Sequence, residues 1–87
     1  MNMLRATYKS DYLIEIEYDN GRKILYDFRK WLFHDCQPVY HKYQDLLKFK
    51  TFKIKDNKLS WGRGIQEMDF PPYNLKEFEI SKPLMKL

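Results

Sequence analysis

The chain reads as an α+β domain, with a small antiparallel or mixed sheet of about five short strands and one or two short helices. Three observations predict it. Apolar and polar residues alternate on both sides of Asp19-Asn20-Gly21. A helically spaced pattern over residues 39–47 follows Pro38. A second alternating pair of segments then flanks Asp56-Asn57.

Residues 12–28 are the most legible stretch. Tyr12, Ile14, Ile16 and Tyr18 alternate with Leu13, Glu15 and Glu17, the period of a half-buried strand. Ile24, Tyr26 and Phe28 alternate in the same way after Gly21. Register decides the loop. A two-residue Asn20-Gly21 loop would pair Ile14 with Asp27 and Glu17 with Ile24, mixing the faces. A three-residue loop pairs Ile16 with Ile24, Ile14 with Tyr26 and Tyr12 with Phe28, and sets Glu17 opposite Lys23. A one-residue slip flips every side chain, so the second register is predicted. Its geometry is a type I turn with Gly21 in the left-handed position, forming a bulge. Each good cross-strand pair contributes about 0.2–1 kcal/mol.

Residues 3–8 form a short strand before this hairpin, separated from it by a Lys9-Ser10-Asp11 turn. Residues 28–33 make one helical turn, which 34–38 break. Residues 39–47 form a short helix on which Val39, Tyr43, Leu46 and Leu47 share a face. Phe52 and Ile54 alternate with Thr51, Lys53 and Lys55 on a strand. Asp56-Asn57 is a turn, and Leu59 and Trp61 lie on the returning arm. Gly62-Arg63-Gly64 is a flexible corner, lacking the spacing of a phosphate-binding loop. Pro71-Pro72 ends any strand and opens a short turn or helix through Leu75 and Phe78. Residues 1–87 form one domain, with 79–87 a loosely ordered tail.

Composition bounds the function classes. The 87 residues include seven Tyr, six Phe and two Trp, large rings that let a small core suffice. No apolar run approaches the roughly 20 residues of a membrane span, and the N-terminus does not read as a signal peptide. The single Cys36 gives no internal disulfide, so a cytoplasmic location is expected. The net charge of +4 inclines the chain toward acidic partners, nucleic acid included, without defining a site.

Several constellations carry chemistry on paper. His34, Cys36 and His41 lie close in sequence, but a structural zinc needs four N or S ligands and no second cluster supplies the fourth. Read as a Cys–His nucleophile, the trio lacks an oxyanion-like turn beside Cys36. Glu15 and Glu17 share a strand face, read as solvated, with Glu17 opposite Lys23. No catalytic residue, metal ligand or cofactor site is therefore assigned. Arg29-Lys30-Trp31 mixes basic and aromatic residues. Lys48, Lys50, Lys53 and Lys55 interleave with Phe49, Phe52 and Ile54 in a basic stripe of the kind that contacts phosphates, with Arg63 beyond it. The ordinary reading of such a stripe is an edge strand guarded by lysines. Tyr8, Tyr40 and Tyr73 are candidate partner anchors that also suit a core.

The order of parts carries a resemblance. A strand enters Asp19-Asn20-Gly21 and a second ends at Tyr26-Asp27-Phe28. Tyr43, Leu46, Leu47 and Phe49 follow, then Phe52-Lys53-Ile54, Trp61, Gly64, and Asp69-Phe70-Pro71-Pro72-Tyr73-Asn74-Leu75. Over residues 3–78 this resembles the small bacterial family catalogued as domain of unknown function twenty-four forty-two. One departure stands out: Ile65-Gln66-Glu67-Met68 intervenes where the family passes almost directly from Gly to Asp. The resemblance implies an antitoxin-like or regulatory role, with a toxin encoded nearby as protein partner. The reading that follows is a non-enzymatic protein-binding module that covers a partner's surface, with self-association open to it and no membrane partner. The alternative is a nucleic-acid-binding protein using the lysine stripe. A metal or thiol enzyme built on His34, Cys36 and His41 is the third reading, removed by an absence of stoichiometric metal together with an inert Cys36.

Overall fold

Alternation over 12–28 builds the larger sheet. In the computed structural model, which describes residues 2–62, 68–69 and 75–80, β1 (Met3–Ser10), β2 (Leu13–Tyr18) and β3 (Lys23–Asp27) form an antiparallel sheet in sequence order. The β2–β3 register pairs Ile14 with Tyr26, Ile16 with Ile24 and Glu17 with Lys23, as face matching predicts. The Gly21 N–H donates to the Tyr18 carbonyl at 3.0 Å, and the Tyr18 N–H donates to the Arg22 carbonyl at 2.8 Å. Gly21 has φ +88°, the left-handed position of the bulged three-residue loop. The strand before it runs further than residues 3–8, to Ser10, and the turn falls at Asp11-Tyr12. Asp11 takes φ +47°, which a short acidic side chain tolerates. Ser10 thereby still pairs with Leu13.

The strands divide between two sheets. The second contains β4 (Lys53–Lys55), β5 (Lys58–Trp61) and the two-residue β6 (Met68–Asp69), all antiparallel. Asp56 and Asn57 both have positive φ, 52° and 62°, and Lys55 pairs with Lys58 across them. That is the two-residue turn whose twist suits a hairpin. The Asn57 Oδ1 accepts from the Met3 N–H at 2.7 Å, joining this turn to the start of β1.

Between the sheets the chain is helical but repeatedly rewound. Residues 29–30 open a turn that continues as a π-helical turn over Trp31–Asp35, two residues beyond the expected end at Phe33. The single helix expected over 39–47 is corrected. A 3-10 helix spans Pro38–Gln44, Asp45 is extended (φ −75°, ψ 117°), and one α-helical turn follows over Leu46–Phe49. The Asp45 carboxylate accepts from the Leu47 N–H at 3.0 Å and caps the new turn. This restart changes the phase. Leu46 and Phe49, three apart, turn inward. Leu47 is left 77% exposed and Val39 56% exposed, off the face on which continuous periodicity had set them.

The core is one cluster. Tyr12, Ile14, Ile16, Tyr18, Ile24, Tyr26 and Phe28 from the first sheet meet Leu32, Tyr43 and Phe49 from the helical layer and Leu59 and Trp61 from the second sheet. Phe49 is central. Its ring lies 5.2 Å from Tyr12, 6.0 Å from Phe28 and 5.8 Å from Trp61. The Trp61 indole N–H donates to the Phe49 carbonyl at 2.8 Å, so the buried polar end of the ring is satisfied. Gln44 Nε2 donates to the Leu32 carbonyl at 2.7 Å, and the Tyr12 hydroxyl donates to the Gln44 carbonyl.

A 3-10 turn over Leu75–Phe78 packs Phe78 against Phe28, with ring centroids 5.2 Å apart. The first two residues of the expected tail, Glu79 and Ile80, run beside β3. Glu79 bridges to Tyr26, and the Ile80 N–H donates to the Leu25 carbonyl at 2.9 Å. The open edge of β3 supplies that acceptor, which sequence periodicity does not show. Residues 81–87, Pro71-Pro72 and Tyr73 lie outside the described residues. Among the described residues no helix is long and apolar enough to cross a membrane.

Candidate functional site

The predicted lysines are split by the fold rather than aligned. Lys48 lies in the α-helical turn and Lys50 caps its end. Lys50 Nζ sits 4.7 Å from the centre of the Tyr8 ring, drawn to the first sheet. Lys53 and Lys55 share one exposed face of β4, with Ile54 on the other. Lys53 Nζ donates to the Gly62 carbonyl at 2.7 Å. Arg63 and Gly64 lie outside the described residues. Lys58, opposite Lys55, joins the same face. The two-residue Asp56-Asn57 turn was the signal for it, because the loop length sets the register.

Lys42 is a second basic residue that the stripe did not include. It stands over the Tyr43 ring at 5.5 Å. With Leu47 and Lys48 it borders a groove of about 440 Å³ whose lining is mainly apolar. The groove reaches from Tyr43 past Thr51 to Gly62, where Lys53 is hydrogen-bonded. The one carboxylate among its described lining residues, Asp45, already accepts the capping hydrogen bond from the Leu47 N–H. Thr51 Oγ1 donates to the Lys48 carbonyl at 2.7 Å and holds the end of the turn. Burial pushes the Tyr43 phenol up from its ordinary value.

A smaller cleft of about 310 Å³ has the opposite sign. Asp27, Asp35, Glu77 and Glu79 line it around Trp31 and Phe78, with Lys30 the basic member. Arg29-Lys30-Trp31 is not a basic platform. Arg29 turns to Asp11 at 3.8 Å and lies over the Tyr12 ring at 5.4 Å. Trp31 packs on Tyr40 at 5.1 Å and on Phe78 at 6.1 Å.

His34, Cys36 and His41 do not gather. Among the described residues no three His, Cys, Asp or Glu side chains come together to hold a metal ion. Cys36 Sγ donates to the Leu32 carbonyl at 3.3 Å. Burial pushes its thiol up, the nearby Asp35 carboxylate pushes it the same way, and a backbone hydrogen bond opposes them. A thiol so held is a poor nucleophile at neutral pH. Glu17 lies 3.8 Å from Arg5 and opposite Lys23, and Glu15 lies between Thr7 and Leu25. Tyr8 and Tyr40 are half-buried against the core.

No protein-family model, curated protein or solved structure matches the chain. The reading of its surface therefore rests on its own residues. Five large apolar side chains are exposed among the described residues, and three of them, Phe33, Val39 and Leu47, fall in the helical layer. Phe33 also borders a shallow hollow with Arg29 and His34.

Proposed function

We propose that the chain is a non-enzymatic protein-binding module, antitoxin-like or regulatory, that acts by covering a partner's functional surface. The observation that carries the reading is the exposure of Phe33, Val39 and Leu47 on the three short helical elements between the two sheets in sequence. Large apolar side chains left in water are stabilised by burial against a partner. The resemblance to the bacterial family of domain of unknown function twenty-four forty-two adds the form of the partner: a protein, such as a toxin encoded nearby. A cytoplasmic setting belongs to the same proposal.

The test is affinity capture of the tagged chain from its native cells after nuclease treatment, at low and high salt. One protein retained in stoichiometric amount through high salt is the expected result. Capture of nucleic acid alone, stripped by salt, overturns it.

A second reading has its own observation. Lys53, Lys55 and Lys58 are exposed on one face of the second hairpin. Nucleic-acid binding through this face, with Lys48, Lys50 and Arg63 nearby in sequence, would weaken steeply with ionic strength through counterion release.

A further inference from the structure

We infer that the groove between the helical layer and the end of β5 takes a peptide segment of the protein partner in which an apolar residue is flanked by carboxylates. The inference rests on the protein-binding reading and names the chemistry of what is bound. Two features of the groove argue for it together. Its lining is mainly apolar, with Tyr43 in its floor and Leu47 standing 77% exposed beside it. Among the described residues its margin carries two lysines, Lys42 and Lys48. The carboxylate among the described lining residues, Asp45, accepts the capping hydrogen bond from the Leu47 N–H.

A ligand that was only acidic would leave the apolar floor wet. A ligand that was only apolar would make no use of the charges of Lys42 and Lys48. The occupant that meets both is an apolar anchor with acidic neighbours, since a buried anchor carries affinity while the charged rim sets orientation and encounter rate. The net charge of +4 acts in the same direction at long range. The restart of the helix at Asp45 makes the site: it turns Leu47 and Lys48 outward together while Phe49 stays in the core.

The experiment is a fluorescence-anisotropy titration of the full chain into a dye-labelled peptide carrying a Leu-Phe pair flanked by glutamates. Three further probes run beside it: the same peptide with lysines for glutamates, a glutamate peptide without the apolar pair, and a labelled single-stranded oligonucleotide. The expected result is saturable one-to-one binding of the first peptide alone. Lys48→Glu and Leu47→Asp each weaken it by about tenfold or more, whereas Lys23→Glu on the outward face of the first sheet leaves it unchanged. All three positions are exposed, and circular dichroism verifies that the variants fold. Absence of saturable binding, equal binding of the lysine peptide, or insensitivity to both groove variants overturns the inference. So does tighter binding of the oligonucleotide through the same residues, or a concentration-dependent dimer in sedimentation that Leu47→Asp abolishes, because each assigns the groove another occupant. A captured cellular partner that still binds the Lys48→Glu/Leu47→Asp double variant overturns the groove while leaving the protein-binding reading intact. Failure to capture any protein overturns that reading, and the peptide titration answers for the groove independently.

Discussion

Two buried hydroxyl arrangements show how single atoms act in this core. Tyr18 and Tyr26 share a hydrogen bond of 2.6 Å between their phenol oxygens, both residues being buried. Removing one oxygen strands the other, so Tyr18→Phe and Tyr26→Phe should each cost about 1–3 kcal/mol, while the double variant costs less than their sum. Urea unfolding of the four proteins measures that coupling. Burial first, and the Tyr18 hydrogen bond second, raise the Tyr26 phenol well above its ordinary value of 10.0. The folded chain then keeps a proton that the unfolded chain has released, so this stability is fully present below pH 10 and declines as pH rises above it. Unfolding midpoints between neutral and strongly alkaline pH should fall less steeply for Tyr26→Phe than for the wild type. Ser60 is the converse case. It is fully buried and its Oγ has no hydrogen-bond partner among the described residues. A buried unpaired hydroxyl is costly, so Ser60→Ala should be at least as stable as the wild type, and a clear loss in thermal melting would show that the hydroxyl is needed.

At the level of elements, turns and caps decide direction. Gly21 has open space where a Cβ would stand, so the cost of Gly21→Ala comes from its φ of +88° and not from a clash. A loss of about 1–2 kcal/mol is expected, with Gly21→Asn recovering part of it because Asn tolerates that conformation. Chemical denaturation of the two variants separates them. The capping carboxylate of Asp45 has a different consequence. Its loss in Asp45→Ala should cost about 1 kcal/mol and loosen Leu47 and Lys48 together, since both ride on the turn that it starts.

For the whole molecule, Phe49 is the joint. Its ring touches Tyr12 and Phe28 on the side of the first sheet and Phe52 and Trp61 on the side of the second. Phe49→Ala should cost about 3–5 kcal/mol, a large share of the roughly 5–15 kcal/mol that holds a domain of ordinary stability. Because both sheets lean on the same ring, they should lose their structure in one transition. Tryptophan fluorescence, reporting Trp61 and Trp31, should then melt together with far-ultraviolet circular dichroism. A second hairpin that melts separately would mean that the Phe49 contacts do not couple the sheets.

Local chemistry determined most of the strands. The face alternation and the Asp19-Asn20-Gly21 turn set the β2–β3 register residue by residue, because a period of two leaves one pairing that keeps Ile14, Ile16, Ile24 and Tyr26 on the same side. The second hairpin followed from the same signals around Asp56-Asn57. The helical layer did not. Over 39–47 the apolar spacing fits one helix, yet packing Phe49 beneath Trp61 restarts the turn at Asp45 and turns Leu47 to solvent. The strip of Lys48, Lys50, Lys53 and Lys55 was visible as residues, but only the tertiary structure parts Lys50 toward Tyr8, sends Lys53 to Gly62, and brings Lys42 beside Lys48. The reason is one of range. A strand's pairing is read from neighbours along the chain, whereas a helical turn in so small a core takes its phase from rings that arrive from distant segments.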